Sequence, residues 1–141
     1  RQVSTALKVV TDLERIGDHA SDIAELILRI KSEHAYHIVK HLPVMAASAN
    51  GMVHDAIEAF INQDLDAAME IIERDDEVDT LFNQVKDDVI HLLQSSPDQA
   101  DQGIDLLMVA KYLERIGDHA VNVCEWTQFS KTGALKNVRI M

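Results

Sequence analysis

Cysteine, proline and glycine are scarce in this 141-residue chain. With a single cysteine, Cys124, no disulfide can close within the chain, and a reducing compartment suits it best. Two prolines and five glycines leave long stretches uninterrupted. No segment alternates strictly between apolar and polar residues, as a half-buried strand would. Positive charge is also in deficit: 13 Lys and Arg against 24 Asp and Glu give a net charge of −11. That balance argues against nucleic acid as a partner, because phosphate backbones require a basic face, and no basic stripe interleaved with aromatics is present. It suits cations, or a partner with a basic surface. No apolar run approaches the roughly 20 residues of a membrane span, and no signal peptide is visible. Gly-rich phosphate loops, HExxH and nucleophile elbows are missing too. The length fits one domain with a sizeable core. Because the first residue is Arg1 rather than Met, the chain reads as a piece or processed product of a longer protein.

What is present is helical periodicity, with apolar residues recurring at spacings of three and four. Four helices are predicted. The first covers about Val3 to Lys31, with Val3, Leu7, Val10, Leu13, Ile16, Ala20, Ile23 and Ile27 as its apolar stripe. A connector over residues 34–43 ends at Pro43. The second helix covers about Val44 to Ile61, with Met45, Ser48, Met52, Ala56, Ala59 and Phe60 facing inward. Asp64 is the expected N-cap of the third, which runs from Leu65 to about Gln94. "SSPDQ" breaks it, and Pro97 suits the first turn of the next helix. The fourth runs to about Phe129, with Gly133 just beyond its end. Its apolar seam is Leu106, Val109, Ala110, Leu113, Ile116, Gly117, Ala120, Val123 and Cys124. Helices this long with short loops imply an all-α antiparallel bundle. The tail over 132–141 is basic and is expected to be loose.

The octapeptide "LERIGDHA" occurs twice, at Leu13–Ala20 and again 100 positions later at Leu113–Ala120. Matches extend beyond it at the same offset: Leu7 with Leu107, Val9 with Val109, Glu25 with Glu125. The first and fourth helices are therefore duplicated elements, and the period is that of a whole bundle rather than a solenoid unit. The unit reads helix, helix, motif helix. It is complete over residues 44–131, while residues 1–33 hold only the motif helix of a first unit.

Within each copy, Glu and Asp stand four apart on one helix face: Glu14 with Asp18, and Glu114 with Asp118. Like charges at that spacing cost about 0.2–0.5 kcal/mol. Gly17 and Gly117 each cost about 1 kcal/mol relative to Ala in mid-helix. Such a glycine either lets a neighbouring helix approach or clears room beside the acids. In the third helix "ERDDEVD" places Asp75 and Asp79 four apart, in line with Ile72 and Phe82. If the third and fourth helices are antiparallel neighbours, the two acid pairs converge. Inward carboxylates must then be protonated, paired with Arg or bound to cations. An all-oxygen set suits Mg, Ca, Mn or Fe. The plainer reading is a solvated helix shoulder, neutralised locally by Arg15 or Arg115. His19 and His119 point about 100° from the acids and read as packing residues. His34, His37 and His41 read as a solvated connector, and Cys124 as core. No ExxH pair accompanies the acids, so the ferritin-like di-iron signature is missing.

A doubled "ERIGDHA" on long helices, with "DDEVD" in the helix before the second copy, resembles the PhoU family of phosphate-uptake regulators. The resemblance covers nearly the whole chain apart from its C-terminal tail. It implies two similar three-helix bundles side by side, the first here lacking two helices. It implies E(D)xxxD motifs that hold multinuclear metal clusters, iron among them, at Asp75, Asp79, Glu114 and Asp118 and, in the first bundle, Glu14 and Asp18. It implies a non-enzymatic regulator, cytoplasmic and peripheral to the inner face of the membrane. Such a protein restrains the phosphate ABC transporter and the phosphate-sensing histidine kinase by protein–protein contact.

Two other functions compete: a carboxylate-bridged di-metal enzyme in a helical bundle, and a metal-free helical adaptor. On assembly, the first helix would expose six large apolar side chains if unpartnered, each worth about 1.5–3 kcal/mol when buried. It either folds back onto the other three helices or pairs with a second copy. The homodimer is the favoured expectation, because the three-helix unit already closes its own core.

Overall fold

The computed structural model describes residues 2–133. Over them the chain is helical, with no strand. There are five α-helices: α1 (Gln2–Arg29), α2 (Glu33–Ile38), α3 (Leu42–Asn62), α4 (Leu65–Ser95) and α5 (Ala100–Thr132). A 3₁₀ turn at Pro97–Gln99 leads into α5. The expected all-α bundle is present, and α1, α3, α4 and α5 are the four helices predicted. The basic tail expected to be loose lies, from residue 134 onward, outside the described residues.

The fifth helix, α2, sits in the stretch predicted as a connector. Six residues are too few to show periodicity in a window of about 11–18. Its cap decides it instead: Ser32 Oγ accepts from the Ala35 N–H at 3.1 Å, while the Lys31 and Ser32 N–H groups both donate to Gln102 Oε1. The histidines here pin the connector to α4 rather than gathering together. His41 Nδ1 lies 2.7 Å from Asp88 Oδ2, and His34 Nε2 lies 3.2 Å from Ser96 Oγ.

The chain ends its helices as the sequence indicates. Pro43 sits in the first turn of α3, where its missing N–H costs nothing. Gln63 turns left-handed (φ 53°) to close α3, and Asp64 then caps α4 by accepting from the Ala67 N–H. Gly133 (φ 77°) closes α5, a conformation in which glycine avoids a Cβ penalty.

Helices α3, α4 and α5 form one antiparallel bundle. The α4 seam is Ala68, Ile71, Asp75, Val78, Leu81, Val85, Val89 and Leu92, all buried. Met45, Met52, Leu92 and Leu106 are fully buried between the three helices, each worth about 1.5–3 kcal/mol. Every residue of the predicted α5 seam is buried. From His119 to Thr127 the burial extends all round that helix, because α1 covers its remaining side.

Helix α1 lies antiparallel along α5 of its own chain. Asp12 meets His119 and Asn122, His19 meets Tyr112, Arg29 meets Asp105 and Ser32 meets Gln102. This register sets Gly17 level with Gly117, so the two motif copies cross head to tail about a local two-fold axis. The His19 and His119 rings, 5.7 Å apart, stand at that axis.

The contact face of α1 differs from its predicted apolar stripe. Thr5, Val9, Asp12 and Ile30 are buried, with Ile16, His19, Ile23 and Leu26 half-buried between them. Of the predicted stripe, Val3, Leu7, Val10, Ala20 and Ile27 are exposed and Leu13 is half-buried. Leu13, Ile16 and Ile23 of the predicted stripe do pack against the core, but the face is rotated towards Thr5, Val9 and Asp12, because α5 offers a buried His119 and Asn122 that take Asp12 as their acceptor.

Candidate functional site

The six predicted carboxylates occupy four different environments. Asp75 takes a seam position on α4 and is 6% exposed. Asp79, expected on the same inward line, is exposed, because the seam steps three residues from Asp75 to Val78 rather than four. Glu114 and Asp118 are half-buried on α5. Glu114 Oε1 accepts from Lys111 Nζ at 2.8 Å. Glu14 and Asp18 are both exposed on α1. The predicted convergence is therefore partial: of the six, only Asp75 is buried.

The two glycines answer the question their cost raised. A Cβ on Gly117 would lie 3.5 Å from Asp75 Oδ1, 3.7 Å from Val78 Cγ1 and 4.0 Å from Met52 Sδ. Gly117 thus lets α4 approach and makes room beside a buried acid at once. A Cβ on Gly17 would meet nothing within 4 Å, so among the described residues that glycine admits no neighbour.

The junction of the two motif copies is the most polar part of the interior. Asp12 accepts from His119 Nδ1 at 2.9 Å and from Asn122 Nδ2 at 3.2 Å, with all three residues under 8% exposed. Accepting from both sides, this carboxylate fixes the His119 tautomer and the Asn122 amide orientation. Asn122 Oδ1 is buried without a hydrogen-bond partner. Burial, then the neighbouring charges of His119 and Arg115, hold His19 below its ordinary pKa against the opposing pull of Asp22 and Asp18. Beside this junction lies a groove of about 480 Å³ whose walls include Arg15, Arg115, Lys111 and Asp118. The polar junction escaped the sequence reading because the position 100 residues after Asp12 is Tyr112, so the repeat does not mark it.

A further cluster arises on α3, where His54, Asp55 and Glu58 bring ligand atoms within 4.8 Å of one another. It is the only such group among the described residues, and the predicted carboxylates do not gather as closely. Arg74 Nη1 donates to Asp55 Oδ2 at 2.6 Å. That bond, with a second from His54, holds the Asp55 carboxyl below its usual range. The guanidinium fits because Gly51 leaves room: a Cβ there would lie 3.0 Å from Arg74 Nη2. The "HDAIE" spacing was the available signal for this group. Cys124 is core, as expected, and burial pushes its thiol up to about 12.

The PhoU domain matches residues 1–27 and 42–127. The chain belongs to the PhoU family. Each matched stretch carries one copy of the doubled motif, and the unmatched residues between them hold α2. The PhoU resemblance read from the motif is thereby established. A phosphate-specific transport system accessory protein PhoU homolog of Clostridium acetobutylicum is 41% identical over 133 residues, covering 94% of this chain and 61% of that protein. A PhoU homolog 1 of Thermotoga maritima is 34% identical over 140 residues, covering 99% and 60%. The crystal structure of the phosphate transport system regulatory protein PhoU from Streptococcus pneumoniae matches with a TM-score of 0.82 at 27% identity, covering 96% of this chain and 64% of that one. The chain thus spans about 60% of the length of these PhoU relatives. Among the described residues no helix is long and apolar enough to cross a membrane.

Proposed function

We propose that this chain is a negative regulator of phosphate uptake and phosphate-starvation signalling that acts by protein–protein contact and not by catalysis. Its partners are the phosphate ABC transporter and the phosphate-sensing histidine kinase, met at the cytoplasmic face of the membrane. The observation that carries this reading is the PhoU domain match over both motif-bearing stretches, together with relatives named as phosphate-specific transport system accessory proteins. The net charge of −11 suits basic partner surfaces. The exposed Val3, Leu7 and Val10 on α1 supply an apolar edge for contact, and pairing of two chains through that edge is the form of homodimer it favours. The test is capture of the purified transporter ATPase subunit, and separately of the kinase, by the immobilised chain. Binding of neither overturns the proposal.

Metal enters as part of the same reading. The donor set is all carboxylate, which suits iron or another oxygen-preferring cation. Asp75 beside Gly117, with Asp79, Glu114 and Asp118, would hold a cluster on the α4–α5 side, and Glu14 with Asp18 would contribute on α1. Glu114 Oε1 already accepts a hydrogen bond from Lys111, so a metal there would share the carboxylate with that cation. That bond is the observation favouring the metal-free adaptor. Elemental analysis of chain purified without a histidine tag decides between them. A cluster built on these acids predicts that Asp79→Asn with Glu114→Gln lowers the metal content, and unchanged stoichiometry sinks it.

A further inference from the structure

The carboxylates of the doubled motif have a proposed role, but its Arg and His have none. The antiparallel crossing of α1 and α5 brings these residues together from both copies. In the register set by Asp12 with His119 and His19 with Tyr112, Arg15 stands level with His119 and Arg115 with His19. The result is a pair of arginines and a pair of histidines related by the local two-fold axis and lining one groove of about 480 Å³. Its floor is rigid: His119 and Asn122 are buried and tied to Asp12. Arg115 is braced over the Tyr112 ring at 5.9 Å, and that ring in turn packs against His19.

Charge is distributed unusually here. The protein carries 24 acids, yet neither Arg15 nor Arg115 makes an ion pair among the described residues. Lys111 adds a third cation to the wall, itself bonded to Glu114. Acids stand close by as well: Asp12 bonds His119, Asp22 and Asp18 act on His19, and Glu114 holds Lys111. More distant charges are largely screened beyond about 8–10 Å at physiological ionic strength. An extended polyanion therefore meets the whole acidic surface, while one small anion is held by direct contact with the two guanidiniums. Guanidinium forks match tetrahedral oxyanions two oxygens at a time. One carboxylate, Asp118, also lines the wall. A carboxylate has about four acceptor positions and repels an anion unless that anion offers it a hydrogen.

We propose that this groove binds hydrogenphosphate, with the Arg15 and Arg115 guanidiniums holding its oxygens and the Asp118 carboxylate accepting its O–H. The chemistry selects against sulfate, which has the same shape and charge but no hydrogen to donate at neutral pH. The site shares Asp118 with the proposed metal cluster, so metal and phosphate compete for that carboxylate, and phosphate binding needs no partner protein.

The test is calorimetric titration of the chelator-treated 141-residue chain with inorganic phosphate and with sulfate at low ionic strength, with the histidine ring signals followed by NMR. Phosphate should saturate at one per chain and shift the His19 and His119 signals. Arg15→Gln and Arg115→Gln should each weaken it by about tenfold, the loss of one charge-assisted contact. Lys86→Gln, remote from the groove, should leave it unchanged. Asp118→Asn should narrow the preference for phosphate over sulfate. Three results each overturn the assignment: no saturable phosphate binding, unaltered affinity in both arginine variants, or equal binding of sulfate by the parent chain. Chelation keeps this test separate from the metal reading, and no transporter or kinase is present, so its failure leaves the regulatory proposal standing.

Discussion

Asp12 holds α1 to α5, and replacing it with alanine should loosen that helix selectively. The side chain is buried and accepts from His119 Nδ1 at 2.9 Å and from Asn122 Nδ2 at 3.2 Å. A hydrogen bond to a charged group contributes about 1.5–3 kcal/mol, and removing one partner strands the others without solvent. Each buried donor left without an acceptor costs about 1–3 kcal/mol. The Asn122 bond lies at the long end of the normal range, so Asp12→Ala should cost about 3–4 kcal/mol. That is a large part of the roughly 5–15 kcal/mol that holds a domain together. The loss should fall unevenly, because α3, α4 and α5 keep their own core. Amide hydrogen exchange should therefore speed up across α1 well before α4. Asp12→Asn, whose amide oxygen can take both bonds in place of Oδ1 but carries no charge, should cost roughly half as much. Replacing Asp12 and His119 together by leucine should recover much of the loss, since exchanging both partners of a buried hydrogen bond for apolar groups can be nearly neutral. An Asp12→Ala chain within about 0.5 kcal/mol of the parent would refute the reasoning.

Other consequences follow from the same geometry. Gly17→Ala should stabilise the chain by about 1 kcal/mol in urea unfolding, because its Cβ meets nothing and helix propensity improves; a destabilised variant would mean that a partner approaches there. Gly117→Ala should gain less, because its Cβ comes to 3.5 Å from the Asp75 carboxylate. Cys124 should resist thiol reagents in the folded chain and react fully on unfolding, since burial raises its pKa to about 12. His19, held below its ordinary pKa of about 6.5 when folded, takes up its proton more readily when unfolded, so its contribution to stability should fall as pH drops below that value. The groups facing it are His119 and Arg115, which lower its pKa, and Asp22 and Asp18, which raise it. His19→Gln should flatten the pH dependence of the urea midpoint, and an unchanged slope would contradict the assignment.

Much of the fold was legible because its signals are local. Asp64 caps α4, Gly133 closes α5, and every seam residue from Leu106 to Cys124 is buried, all readable from residue type and spacing. The α1 contact face was not, because it depends on what α5 presents: Asp12 goes inside for His119, a residue 107 positions away. The carboxylates divide for a related reason. Asp75 lies on a seam that spacing can trace, but helical seams alternate steps of three and four, and the step to Val78 leaves Asp79 outside. The short α2 depends on a serine cap and on Gln102, a partner from the far end of the bundle.

The local two-fold axis between the motif copies has a consequence for how their contacts can vary. An interface in which residue i of one copy meets residue j of the other, and j meets i, is what two identical chains make when they pair. Here the two copies are joined in one polypeptide, and the join releases a restraint that a pair of identical chains cannot escape. In a true pair, a change on one side is imposed on the other. In the fused chain the two sides can differ, and they do: the position that is Asp12 in one copy, gripping His119, is Tyr112 in the other, packed at a tilt against His19. Equivalent positions of the two copies thus make two different contacts, a polar clasp and an aromatic prop. Restoring the symmetry, by Tyr112→Asp or by Asp12→Tyr, would undo a division of labour that only covalent fusion allows.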